Sequence, residues 1–205
     1  MEKLDYKKEY KDLYLPGTAP VCIEVPPICF IMVDGQGDPN GEEYQAAMQL
    51  LYALSFTLKM GAKQADGYFE YVVPPLEGLW AGKGEVFDIT RRGDWRWTSM
   101  IRQPGFVTPE LFAWAQEECR RKKGLDTTHA RLQTYAEGLC VQMMHIGPYA
   151  GEPETLAQME AYMQQNGLVN ETGALRRHHE IYLSDPRKTA PEKLKTVLRL
   201  PVARG

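Results

Sequence analysis

The chain has 205 residues, 43% of them hydrophobic and 25% charged, with 18 glycines and 14 prolines, which excludes collagen-like and low-complexity sequences. That length suits one large domain, or two small halves that share a core. Its 24 basic and 27 acidic residues leave a formal net charge of −3, so the basic excess that counterion release on nucleic acid exploits is missing and no nucleic-acid partner is expected.

The longest apolar run, Met48 to Leu58, is interrupted by Gln49 and Ser55 and is too short to cross a bilayer. The first ten residues are charged and lack the apolar centre of an export signal. Cys22, Cys29, Cys119 and Cys140 lie far apart with no C-x-x-C pair, which favours reduced, mostly buried thiols over disulfides. A soluble, cytoplasmic protein without membrane contact is expected.

Residues 1–20 read as an extended N-terminal arm in which Tyr6, Tyr10 and Tyr14 share one helical face. Val21 to Val33 is β-rich but broken at Pro26-Pro27, which fits an edge strand or a bulge. After the turn Asp34–Pro39, a helix is predicted over about Glu42–Met60, with Tyr44, Ala47, Met48, Leu51, Leu54 and Leu58 on its apolar stripe. Strands are predicted at about Tyr68–Val73 and Trp95–Arg102, with a glycine- and charge-rich loop from Pro74 to Asp94. Thr108-Pro109-Glu110 reads as N-cap, first-turn proline and acidic first turn of a helix running to about Lys123. Strand Leu139–Ile146, helix Pro153–Gln165 and strands Arg177–Leu183 and Leu194–Pro201 complete the chain.

The order strand, helix, strand, strand therefore occurs before residue 103 and again after residue 138. Both helices are preceded by a strand, a glycine-containing turn, an acidic residue and a proline, at Met32–Pro39 and at Met144–Pro153. A duplicated β-α-β-β unit accounts for this echo, and two similar turns arising independently is the alternative. The expected organisation is an arm (1–20) and one α+β domain (21–205). In it, two pseudo-repeats, about 21–103 and 138–205, are joined by a helical connection. Duplication would leave a groove at the junction, where ligand pockets concentrate.

Period-2 alternation places His178, Glu180 and Tyr182 on one strand face and His179, Ile181 and Leu183 on the other. The second set looks helix-facing, so Glu180 is expected on the opposite, open face. Trp95, Trp97 and Ser99 share a face in the same way; His145 pairs with Met143 and Val141, or Met144 with Cys140. These side chains suggest an aromatic pocket around one carboxylate, suited to flat apolar or cationic ligands. Solvated sheet surface for Glu180 and plain core packing for the tryptophans is the alternative.

Other patterns read as structure. Gly35-Gln-Gly37 lacks the third glycine of a dinucleotide fingerprint, and Arg92-Gly93-Asp94 is a turn. His178 and His179 face opposite ways on a strand, and no H-E-x-x-H, Cys/His cluster or G-x-S-x-G occurs, so neither metal nor cofactor is expected. Arg120-Arg-Lys-Lys123 complements a helix C-terminus.

The segments Val25–Pro39, Pro75–Trp80, Trp95–Pro104 and His178–Arg187, with the ending Lys195–Pro201, resemble the gyrase-inhibitor-like small-molecule-binding family in its free-standing form. The resemblance runs from about residue 5 to the C-terminus. It implies a tandem pair of β-α-β-β (SHS2-like) units forming a curved antiparallel sheet, with helices on one face and a ligand groove on the other. An acidic residue of a late strand sits at the family's pocket centre, and Glu180 is the matching position. Trp80, Trp97, Tyr149 and Tyr182 are the aromatic candidates for the pocket, and His145 is a further ligand-binding candidate. Ala81-Gly82 follow Trp80 where a second bulky aromatic is expected, which loosens one wall.

The resemblance implies two functions. The first is binding of flat aromatic, hydrophobic or cationic drug-like molecules, as sequestration or sensing of xenobiotics. The alternative is cofactor-free hydrolysis that opens cyclopropane rings of genotoxic electrophiles and so detoxifies them. In that case Glu180 activates water, and Tyr149 or Tyr71 donates to the developing oxyanion. A protein-partner role such as topoisomerase inhibition is a third class, for which no residue is singled out.

Overall fold

The computed structural model describes residues 3–82, 92–173 and 175–205. Its N-terminal arm is two short helices, α1 (Tyr6–Glu9) and α2 (Lys11–Tyr14), not the extended segment expected. Asp5 caps α1 by accepting from the Lys7 amide, and Tyr10 leaves helical geometry between the two. Tyr6 and Tyr10 still stack, with centroids 5.7 Å apart, and the Arg102 guanidinium lies over both rings.

Pro26-Pro27 splits the next segment into two strands that part company, because proline offers no N–H to a ladder. Strand β1 (Val21–Val25) is an edge strand, as expected, whereas β2 (Ile28–Gln36) lies inside the sheet. Helix α3 (Glu42–Gly61) buries Tyr44, Ala47, Leu51, Leu54 and Leu58, the predicted stripe, with Met48 half-buried. Burial of each leucine contributes about 1.5–3 kcal/mol.

The predicted strand at 68–73 is a correction. Tyr71 makes a single bridge to Leu4, and the alternating aromatics there pack beneath the arm. The strand is β3 (Leu76–Ala81), inside the predicted loop; the rest of that loop, 83–91, lies outside the described residues. Strand β4 (Arg96–Arg102) follows, then α4 (Pro109–Lys123), whose first turn is capped by the Thr108 hydroxyl accepting from the Leu111 amide. The connection is not only helical: it includes β5 (Ala130–Tyr135), whose polar side chains gave no strand signal.

The second half comprises β6 (Gly138–Ile146), α5 (Glu152–Gln165), the short β7 (Leu168–Asn170), β8 (His178–Tyr182) and β9 (Lys195–Arg204). The strands form one antiparallel sheet in the order β1-β6-β9-β8-β3-β4-β2-β5, with β7 added beside β9. That order is a palindrome of two units, β2-α3-β3-β4 and β6-α5-β8-β9, meeting at the β3–β8 seam. Each unit's preceding strand crosses over: β1 pairs with β6, and β5 with β2. Among the described residues no helix is long and apolar enough to cross a membrane.

One face of the seam carries a buried charge network beneath the arm. His179 places its two ring nitrogens 2.9 Å from Glu77 and 3.0 Å from Glu137, and Arg199 donates to Glu137 at 2.9 Å. Carboxylates on both sides require both imidazole nitrogens to donate. Burial alone would lower the His179 pKa, but Glu137 and Glu77 hold it up at about 9. Burial alone would raise the Glu137 carboxyl, but His179 and Arg199 hold it at about 2. The arm closes this network: Tyr14 donates to Glu77 at 3.2 Å, and Arg199 donates to the Leu13 carbonyl at 2.8 Å.

Candidate functional site

Strand register brings the site together at the seam. Gly78 pairs with Glu180, and the row continues through Ser99 to Val33 on one side and through Leu198 to Met143 on the other. All six therefore share one face. Helix α5 packs Met159 and Met163 on this face against Met143 and Leu198. On the other side, Tyr44 of α3 packs on the Trp80 and Trp97 rings. Glu180 thus stands in the gap between two helices, on the helix-bearing face. This reverses the orientation expected for Glu180, which shares its face with the helices, while His179 and Ile181 point to the face that the arm and its charge network cover.

The Glu180 carboxylate is held by its own strand. Tyr182 Oη donates to Oε2 at 2.7 Å, and His178 Nε2 lies 3.1 Å from Oε1. Tyr182 Oη in turn accepts from Trp80 Nε1 at 2.9 Å, which fixes the hydroxyl's direction. A Cβ on Gly78 would come 2.8 Å from Trp80 Nε1, so the bare backbone there makes room for the bond. The Glu180 side chain keeps 12% of its surface exposed, enough for a ligand or a water to reach it.

Aromatic rings wall the gap. Tyr44 stacks on Trp80 at 6.0 Å and meets Trp97 edge-on at 5.0 Å; Trp95 meets Trp80 edge-on at 5.6 Å. Trp97 is 1% exposed and seats its ring over Gly35, so it shapes the wall from behind. Tyr149, in the turn before α5, packs edge-on against Tyr182 at 6.2 Å and is 39% exposed, which puts it at the rim. Burial and the Glu180 charge push its hydroxyl up to about 12. Burial likewise pushes Tyr44 up to about 12.

His145 lies one row away, level with Thr196 and Tyr182 on the same face. Both its ring nitrogens are engaged: Nε2 donates to the Pro148 carbonyl at 3.1 Å, and Nδ1 shares a hydrogen bond with the Thr155 hydroxyl at 2.8 Å. It clasps the turn that carries Tyr149. Tyr71 is not brought to this group. It lies among Phe69 and Phe106 under the arm, and among the described residues the site aromatics are not in its ring contacts.

Two residues of the site escaped sequence reasoning as functional groups. Tyr44 reads from the sequence as part of the apolar helix stripe. Glu152, the first residue of α5, is 8% exposed, and its Oε1 has no hydrogen-bond partner among the described residues. Burial, then the charge of Glu180, push its carboxyl up to about 9. The signal that points to Glu152 is the acid–proline echo ahead of each helix.

The GyrI-like small molecule binding domain matches residues 18–203. The crystal structure of an uncharacterized conserved protein from Listeria innocua is 54% identical, with TM-score 0.94 over 98% of this chain and 100% of that one. A hydrolase from Listeria innocua is 52% identical, with TM-score 0.91 and the same coverage. The EcmrR C-terminal domain shares the fold at 11% identity, with TM-score 0.54 over 91% of this chain and 98% of that one. No curated protein matches.

Proposed function

Because the chain belongs to the GyrI-like small-molecule-binding domain family, we propose that its inter-helix gap takes flat aromatic electrophiles and hydrolyses them without a cofactor. The observation that carries this reading is the Glu180 carboxylate, oriented by Tyr182 and His178 and still open to solvent inside aromatic walls. The full-length likeness to a protein described as a hydrolase supports it.

In this reading the rings of Trp80, Tyr44 and Tyr182 stack on the substrate and hold its strained carbon near Glu180. Each such contact contributes about 0.5–1.5 kcal/mol. Glu180 removes a proton from water as the water oxygen attacks, and the rim hydroxyl of Tyr149 donates a hydrogen bond to the substrate. A cyclopropane fused to an aromatic system is the substrate class, and detoxification of such compounds is the role.

A second reading, sequestration of cationic aromatics without turnover, is favoured by one feature: a carboxylate bordered by ring faces, which attracts a delocalised cation. Incubating the protein with a cyclopropane-bearing aromatic electrophile and following its mass decides between them. Gain of one water over many turnovers, abolished in Glu180→Gln, is the expected result. Retention of unchanged compound supports sequestration, and neither retention nor turnover overturns both readings.

A further inference from the structure

We propose that the protein has a second small-molecule site, a cavity between α5 and the outer edge of β6 that takes a primary alkylammonium ion. The inference stands apart from the hydrolytic reading. Strand β6 lies two strands out from β8, and the cavity is on its side away from the seam. Neither Glu180 nor any aromatic residue that walls the gap lines it.

Unequal strand lengths create the space. Strand β9 pairs with β6 as far as Ile146, whereas β1 covers the other edge only to Gln142. Beyond that point the linker from the arm crosses the edge, and the Met144 amide donates to the Gly17 carbonyl at 2.8 Å. Pro20, without an N–H, precedes β1 and extends no ladder there. At an uncovered edge the side chains of both strand faces reach the same space. Met143, Met144 and His145 accordingly form one buried floor. The cavity holds about 410 Å³, at the small end of ordinary ligand pockets.

The lining selects the ligand. Thr18 of the linker, with Glu154 and Gln158 of α5, makes an exposed rim. Among the described residues none of these three side chains has a hydrogen bond or an ion pair. A carboxylate, an amide oxygen and a hydroxyl are three acceptors, and a primary ammonium brings three donors. No lysine or arginine lines the cavity, and the Glu154 carboxylate repels anions. His145 offers no free nitrogen, because Pro148 and Thr155 engage both. The thioethers of Met143 and Met144, with half-exposed Ile146, give an alkyl chain a polarisable apolar bed. The positive end of α5 disfavours a cation, but Glu154 stands in that first turn and offsets it. Pro148 also lines the cavity, and the next residue, Tyr149, stands at the rim of the gap. The two sites therefore share one turn.

Titration of the full chain, labelled with carbon-13 at its methionine methyls, with hexylammonium tests the proposal. The Met143 and Met144 signals, assigned from Met143→Leu and Met144→Leu, should move and saturate with a Kd of about 1 mM or below. Glu154→Gln, a change at an exposed position, should weaken binding about threefold to fivefold, the range of an exposed ion pair. Glu180→Gln should leave it unchanged. Hexanol, the neutral counterpart, should bind more weakly than hexylammonium and equally to wild type and Glu154→Gln. Absence of saturable shifts at Met143 and Met144 overturns the site. Equal binding by wild type and Glu154→Gln, or hexanol as tight as hexylammonium, overturns the ammonium assignment. Shifts that vanish in Glu180→Gln place the amine in the gap and overturn the second site, while the reading of the gap itself stands.

Discussion

Gly78 and Glu180 pair directly across the seam, and each is the other's counterpart in the two repeats. Gly78 leads through Ser99 to Val33, four residues before the turn glycine Gly37. Glu180 leads through Leu198 to Met143, four residues before Gly147. The pseudo-twofold axis therefore passes between a glycine and a glutamate, and two residues further along each strand stand Trp80 and Tyr182. The two-unit topology gives two equivalent positions at the seam. One holds the carboxylate, and the other leaves the space in which Trp80 and Tyr182 meet.

That division of roles predicts the effect of Gly78→Ala. The new methyl group would sit 2.8 Å from Trp80 Nε1 and 3.2 Å from Tyr182 Oη, so their hydrogen bond must open. Tyr182 then loses the partner that directs its hydroxyl to Glu180. Ligand affinity should fall about tenfold, or 1.4 kcal/mol, as measured by calorimetry. Unchanged affinity would mean that the Trp80–Tyr182 bond does not shape the binding surface.

The two tyrosines raised as oxyanion donors separate cleanly in the structure. Tyr149→Phe removes a rim hydroxyl beside Tyr182 and should lower turnover about 100-fold or more, because a positioned donor is worth roughly 2.7–4 kcal/mol in a transition state. Tyr71→Phe acts among Phe69 and Phe106 under the arm and should leave turnover unchanged. Steady-state rates of the two variants on one probe decide the matter. The reverse pattern would place the donor under the arm, beside Phe69 and Phe106.

Period-2 alternation in His178–Leu183 correctly grouped Glu180 with His178 and Tyr182, and the capping residues around Thr108 fixed α4 to the residue. What misled was the choice of face. Ile181 and His179 look more apolar than Glu180 and Tyr182, and that ranking assumes the apolar side meets helices. The charged partners that satisfy His179 are Glu77 and Glu137, the latter also bound by Arg199, all far apart in sequence, so a second buried face was invisible. Strand β3 was hidden for a related reason. Gly78 at its centre and Pro74-Pro75 ahead of it read as loop, yet the glycine is there because two side chains fill its space.

The His179 network sets a pH window for stability. His179 holds its proton to about 9 in the folded chain against 6.5 for the free group, so its contribution is complete below about 6.5 and is lost as pH rises through 9. Glu137 is held at about 2 against 4.5, so its contribution is complete above about 4.5 and is lost as pH falls through 2. Thermal stability should therefore be greatest between about pH 4.5 and 6.5 so far as this network decides it. His179→Gln leaves Glu77 and Glu137 without their shared cation; it should lower stability by about 3–5 kcal/mol and flatten the alkaline slope. A variant whose Tm keeps the wild-type slope above pH 6.5 would assign that slope elsewhere.

Glu152 should show the opposite behaviour, a buried acid held at the expense of stability. Its carboxyl is raised to about 9 in the folded chain against 4.5 when free. Below pH 4.5 it is neutral in both states and costs little. Above that, the unfolded chain gains an ionised, hydrated carboxylate that the folded chain lacks, and the folded state loses ground up to about pH 9. Glu152→Gln removes the ionisation and keeps the shape, so at pH 8 the variant should melt higher than wild type, while the two should converge at pH 4. For a chain of this size each kcal/mol corresponds to about 2–4 °C in Tm, so scanning calorimetry at the two pH values resolves the difference. A variant less stable than wild type at pH 8 would mean that Glu152 is charged there and that its burial serves packing alone. A variant that is both more stable and less active would tie the cost of the buried acid to the function of the site.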